Sequence, residues 1–222
     1  MRAKPRVKIC CITSVEEARL AIACGASAVG LVSAMPSGPG VIGEDLITEI
    51  AATIPPPIAT FLLTSKQDAP SIIAQQRRCR VNTIQLCDSV PPACYAELHA
   101  VLPGIALVQV IHVGGQESVD DAVSVSSHVD ALLLDSGNQK LAVKELGGTG
   151  RRHDWRISRA ICEAVSIPVF LAGGLNPDNV SEAIREVRPF GLDICSGVRT
   201  DGRLDETKLK NFFAAIEHHQ FA

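Results

Sequence analysis

The chain has 222 residues, 46% of them apolar and 20% charged, with a formal net charge of −3. That apolar content supports a buried core and excludes wholesale disorder, while the charge balance gives no electrostatic footprint for nucleic acid or an anionic membrane. No apolar run approaches the roughly 18 residues that span a bilayer, and the short apolar stretch after the basic start gives way to Glu16 and Glu17, unlike a secretory leader. The expectation is a soluble cytoplasmic protein without nucleic-acid or membrane partners.

Short β-branched or apolar runs alternate with stretches of helical spacing to the end of the chain. In order, the predicted strand and helix pairs are 7–12 with 14–24, 28–33 with 44–54, 58–64 with 69–78, and 83–87 with 91–102. They continue with 106–113 and 118–128, 131–135 and 154–165, 168–172 and 179–188, and 192–196 and 205–218. Gly25 is a suitable stop for the first helix. Strands that are apolar throughout imply a parallel sheet covered on its outer face. Eight units of about 28 residues, with no composition break, favour a closed (β/α)8 barrel over an open doubly wound sheet. The reading is a single α/β domain over residues 1–222. Two connections are long, 34–43 and 136–153; both follow strands, on the face where such barrels carry their sites.

Eight cysteines, at positions 10, 11, 24, 79, 87, 94, 162 and 195, form no CxxC pair and no Cys/His set at zinc spacing. Reduced thiols and no metal are expected. The six histidines show no metal spacing either.

Several residues can carry chemistry. Ala172-Gly173-Gly174-Leu175 and Cys195-Ser196-Gly197-Val198 place glycines at the ends of the last two strands. There backbone N–H groups can approach an anion, although the same glycines can also serve only tight turns. Gly147-Gly148-Thr149-Gly150 lacks the GK[ST] ending of a nucleotide-binding P-loop. Asp135 closes the apolar run Ala131–Leu134, as a barrel-mouth acid whose pKa burial would raise, or as a cap. Alternation on the first strand gives Lys8 and Cys10 one face, Ile9 and Cys11 the other, so that one thiol faces the barrel interior. Cys10 is then a candidate base, or an inert buried thiol, and Lys8 a barrel-mouth cation or a strand-end charge. Gln85, in Ile84-Gln85-Leu86-Cys87, is a core amide or a substrate contact.

Together these segments resemble the phosphoribosylanthranilate isomerase family. The similarity runs through Val7-Lys8-Ile9-Cys10 with Ile12-Thr13, Gly25-Ala26, Ala28-Val29-Gly30, Ile84-Gln85-Leu86 and Leu132-Leu133-Leu134-Asp135. It continues through Gly147-Gly148-Thr149-Gly150 with Asp154-Trp155, Leu171-Ala172-Gly173-Gly174-Leu175, Pro177, Asn179-Val180, and Asp193 with Ser196-Gly197-Val198.

The resemblance implies a (β/α)8 barrel and an Amadori rearrangement in tryptophan biosynthesis, with no cofactor and no metal. It further implies Asp135 as general acid, Cys10 as general base, and Lys8, Gln85, Gly173, Gly174, Ser196 and Gly197 as substrate-binding residues. The partner it implies is a small phosphoribosyl substrate, bound by a monomer or homodimer.

The sequence departs from the family pattern at the other end of the substrate. Where the family has S-P-R-Y, whose arginine holds the anthranilate carboxylate, this chain reads Ser37-Gly38-Pro39-Gly40. Cys11 replaces a glycine, Cys87 and Asp88 replace a histidine and a glycine, and Arg199 replaces a glutamate. Two alternatives therefore stand beside the isomerase: a barrel acting on another phosphoribosyl amine, and a phosphosugar-binding barrel without catalysis.

Overall fold

The computed structural model describes residues 4–137 and 141–218. Eight parallel strands close in chain order: β1 (Arg6–Ile9), β2 (Ala28–Val32), β3 (Ala59–Thr64), β4 (Thr83–Leu86), β5 (Ala106–His112), β6 (Ala131–Asp135), β7 (Val169–Leu171) and β8 (Gly191–Ile194). The helices between and after them are α1 (Val15–Ala23), α2 (Glu44–Thr53), α3 (Ala69–Cys79), α4 (Pro92–Val101), α5 (Glu117–Ser126), α6 (Trp155–Ala164), α7 (Val180–Val187) and α8 (Glu206–His218). The (β/α)8 barrel expected from the unit count is the architecture observed. No helix among the described residues is long and apolar enough to cross a membrane.

The period of two sorts every strand. Val7 and Ile9 of β1, Ile84 and Leu86 of β4, Leu132 and Leu134 of β6, and Leu192 and Ile194 of β8 pack outward against the helices. Their neighbours Lys8, Gln85, Asp135 and Asp193 consequently point into the barrel. The interior is filled by Phe61, Leu63, Val108, Val110, Leu133 and Phe170, with Phe61 and Phe170 meeting edge to face at 5.9 Å. Gly191 admits Phe170, because a Cβ there would stand 2.5 Å from its ring.

Two strands end more than one residue earlier than expected. β1 stops at Ile9 rather than at residue 12, and Cys11 takes a left-handed φ of 60°. β8 stops at Ile194, where Cys195 leaves the extended region and a 3₁₀ turn, Ser196–Val198, follows. A small antiparallel hairpin, β9 (Arg199–Thr200) with β10 (Arg203–Leu204), then leads into α8; nothing in the apolar pattern announced it.

Candidate active site

A cavity of about 670 Å³, counted with its open mouth, lies at the C-terminal end of the strands. Cys10, Gln85, Asp135, Gly173, Gly174 and Ser196 all line it. Lys8 and Gly197 do not. Gly197 sits one residue too far along, where a Cβ would run into the Leu175 carbonyl. Lys8 lies below the floor with 0% exposure.

Strand register makes that floor. Lys8 on β1 and Asp193 on β8 are direct partners across the barrel closure, and Lys8 Nζ donates to Asp193 Oδ1 at 2.8 Å. The ammonium also lies 5.2 Å from the centre of the Phe61 ring. Burial works to lower the pKa of Lys8, yet the Asp193 carboxylate and the Cys10 thiol outweigh it and hold the lysine protonated. Burial lifts Asp193 above the usual carboxylate range against the pull of Lys8. The close 2.8 Å contact argues for an ion pair, with the proton on Lys8. Gly30 on β2 makes room: a Cβ there would lie 2.9 Å from Cys10 Sγ and 3.1 Å from Lys8 Cε.

Asp135 stands across the cavity, 8% exposed. Its Oδ1 accepts from Ser136 N at 2.7 Å, and Ser136 Oγ is tied to Thr149 Oγ1 at 2.7 Å. Two glycines with positive φ press close to the carboxylate: a Cβ on Gly147 would be 2.5 Å from Oδ2, and one on Gly173 3.4 Å from Oδ1. Behind Gly173, His153 Nε2 bonds Ser158 Oγ at 2.6 Å while Nδ1 is buried without a partner. Burial holds His153 below its ordinary pKa. Gln85 sends Nε2 towards Cys87 Sγ at 3.7 Å and leaves Oε1 buried and unpartnered beside the cavity.

Gly150, Gly173, Gly174 and Ser196 lie together in the lining, and the two strand-end glycines let the following loop pack close, since a Cβ on Gly173 or Gly174 would stand 3.0 Å from the Arg151 or Gly150 carbonyl. The apolar part of the lining is Val32, Met35, Leu63, Cys87 and Leu146. Over it the two long connections meet: Ser37 Oγ donates to the Lys144 carbonyl at 2.7 Å, and Lys144 Nζ reaches Asp88 Oδ2 at 2.6 Å. Among the described residues, no group of three or more His, Cys, Asp or Glu is placed to hold a metal ion.

Residues 7–215 match the family model described as N-(5'phosphoribosyl)anthranilate (PRA) isomerase. The chain belongs to the phosphoribosylanthranilate isomerase family. It is 35% identical to N-(5'-phosphoribosyl)anthranilate isomerase of Methanocella arvoryzae, over 94% of this chain and 95% of that one. It is 39% identical to N-(5'-phosphoribosyl)anthranilate isomerase 2 of Methanosarcina mazei, over 93% and 92%. Among solved structures, phosphoribosyl anthranilate isomerase from Thermus thermophilus superposes with a TM-score of 0.80 at 26% identity, covering 96% of this chain and 98% of that one. A phosphoribosyl anthranilate isomerase in complex with reduced 1-(o-carboxyphenylamino)-1-deoxyribulose 5-phosphate gives 0.78 at 26% identity, covering 96% and 99%.

Set in this phosphoribosylanthranilate isomerase barrel, the departures acquire structural reasons. Cys11 occupies a left-handed turn that glycine adopts freely, at a cost of order 1–3 kcal/mol for another residue. It is covered by Gly40, whose Cβ would lie 2.5 Å from that of Cys11. Arg199 ties the end of β1 down: Nη2 donates to the carbonyls of Cys11 at 2.5 Å and Cys10 at 3.3 Å. The same guanidinium bonds Glu17, whose carboxylate also accepts from Thr13 N and Leu204 N. Neither Glu17 nor Arg199 was a sequence candidate, because each reads alone as an ordinary helix-start or loop charge. Arg151 and Arg152, the cations nearest in sequence to the cavity glycines, are engaged elsewhere, on Glu145 and on the Trp155 ring with Glu182.

Proposed function

We propose that this chain catalyses the Amadori rearrangement of N-(5'-phosphoribosyl)anthranilate, with Cys10 as general base and Asp135 as general acid. One observation carries the reading: the two groups, from the ends of β1 and β6, line the same cavity together with glycines and apolar side chains. Asp135 gives its proton to the furanose ring oxygen, the C1–O bond breaks, and the amine nitrogen and C1 become an iminium. Cys10 then removes the C2 proton, and the electron pair moves to neutralise the iminium and form an enol. Ketonisation returns a proton to C1 and leaves the 1-deoxyribulose 5-phosphate product, so no atom is gained or lost. Acid and base come from different strands, β6 and β1, so each can act on its own atom of the substrate.

The backbone around Gly173, Gly174 and Ser196 receives the phosphate, since glycine permits close approach of N–H groups to an anion. Gln85 Oε1 is an open acceptor for a sugar hydroxyl. Lys8, which the cavity does not expose, serves from beneath by keeping a positive charge near Cys10.

The test is loss of phosphoribosylanthranilate fluorescence, with substrate generated in place. Wild type turns over, while Cys10→Ala and Asp135→Asn each lose about 10²–10⁴-fold in kcat with circular dichroism unchanged. Folded variants that keep full turnover would remove both assignments. A second reading, that the amine is not anthranilate, draws on a separate observation: among the described residues lining the cavity there is no Arg or Lys to meet an aglycone carboxylate.

A further inference from the structure

We propose that Cys11 and Cys195 form an oxidisable thiol pair at the barrel mouth, which hydrogen peroxide joins as a disulfide that stops turnover and a dithiol reductant reopens.

The pairing begins with register. Ile9 and Ile194 are partners on β1 and β8, and Cys10 N donates to the Ile194 carbonyl at 2.8 Å, so the two chain segments leave the barrel side by side. An extended Cys11 would turn its thiol into the helix layer. The left-handed φ of 60° instead brings it to the cavity, which Cys10, Cys11 and Cys195 line together. There Cys11, Cys195 and Cys10 belong to one apolar cluster, and Cys11 and Cys195 are near enough to influence each other's protonation. Cys195 is the more exposed partner, only half-buried, and the open mouth admits a molecule as small as a peroxide.

The surroundings divide the roles. Cys11, with the Arg199 charge behind it, holds Cys195 below the ordinary thiol range against burial. Cys10 first, then Cys195 and burial, hold Cys11 protonated. Elsewhere burial raises the thiols, with Cys79 and Cys162 each pushed up to about 11. Nucleophilic attack on peroxide follows thiolate character, so Cys195 reacts first. Its sulfur attacks one peroxide oxygen, the O–O bond breaks, and the departing hydroxide is protonated to water, leaving a sulfenic acid. Cys11 sulfur then attacks that sulfur, the S–O bond breaks, and the thiol proton leaves with the hydroxide as a second water. In sum two thiols are oxidised to one disulfide and one peroxide is reduced to two waters. An S–S bond of about 2.05 Å pulls Cys11 away from Cys10 and fixes the chain beside Ser196. The cross-link itself is independent of the proposed isomerase reaction; only the loss of turnover rests on it.

The full chain is treated with hydrogen peroxide, quenched by alkylation, digested with trypsin and mapped by mass spectrometry. The expected product is peptide 9–19 joined to peptide 186–199. It forms in wild type and also in Cys10→Ala, where Cys11 is the sole thiol of its peptide. Turnover of wild type falls in step with the joined peptide and returns with dithiothreitol, whereas Cys195→Ser loses its own activity roughly tenfold more slowly. The proposal is overturned if folded protein yields no joined peptide, if the cross-linked protein keeps its turnover, or if Cys195→Ser is inactivated as fast as wild type. The last result would make Cys10 the oxidised group.

Discussion

At the floor of the cavity the charges are committed: Lys8, wholly buried, is held by Asp193 across the barrel closure, under Cys10 and beside Phe61. At the rim the corresponding pair, Lys144 with Asp88, leaves the lysine side chain 39% exposed, on a loop held to its neighbour by a few contacts such as Ser37 to Lys144. The difference teaches which parts of the site are free to change. Floor residues are positioned by the register of β1 on β8, so altering one leaves a buried partner stranded. Rim residues are positioned by loops, whose composition can change without disturbing the sheet. The departures from the family pattern follow this division in part: Cys10, Asp135 and the glycines at β7 and β8 are kept and the segment around Ser37-Gly38-Pro39-Gly40 is replaced, while Cys11 and Cys87 change at buried strand ends.

The hardest test of a committed floor is Lys8→Met. It strands a buried carboxylate, and a loss of about 3–5 kcal/mol is expected in urea unfolding, with Asp193→Leu on the same background recovering most of it. A loss below about 1 kcal/mol would place the floor in the same class as the rim. Next in size is Gly30→Ala, which forces Cys10 Sγ and Lys8 Cε aside. We expect about 1–3 kcal/mol of destabilisation and a larger fall in kcat than rise in KM.

At the rim, a product analogue lacking the aglycone carboxylate should bind within about threefold of the product itself, since no cation among the described residues lines the cavity. A preference of tenfold or more for the carboxylate would show that a cation reaches it and would remove the second reading of the substrate. The smallest effect concerns His153, between floor and rim. Burial lowers its pKa in the folded chain from an ordinary value of 6.5. As pH falls below about 6.5 the unfolded chain takes up a proton that the native one refuses, so stability declines until the native value is passed. Above that range His153 contributes no slope, and His153→Gln should flatten the pH dependence of the melting temperature.

Much of the barrel was legible because its signals are local. Alternation along Ala131–Asp135 and Thr83–Leu86 is enough to turn Asp135 and Gln85 inward, and apolar strands between helical stretches are enough for a parallel barrel. Cys11 shows where local reasoning ends. Alternation sends it to the helix layer, away from Cys10, but one left-handed residue after Ile9 ends the strand and puts both thiols on the cavity. Arg199 and Glu17 were illegible for another reason: they lie 182 residues apart and meet only after the barrel closes. Alternation leaves Lys8 a barrel-mouth cation or a strand-end charge, and the resemblance implies a substrate contact, because its partner, Asp193, is equally remote in sequence. Its full burial became visible only with the register.

The bond from Lys8 to Asp193 joins residues 185 positions apart, and this has a consequence for synthesis. At about 5–20 residues per second, a ribosome that has made Lys8 needs roughly 10–40 s to make its counter-charge. During that interval the first strand carries an ammonium group that has nowhere dry to go, and the seven strands that follow cannot shut around it. The thiol two residues on therefore acquires its setting only when the last strand emerges, so a partly translated chain is barred from chemistry until the ring is complete.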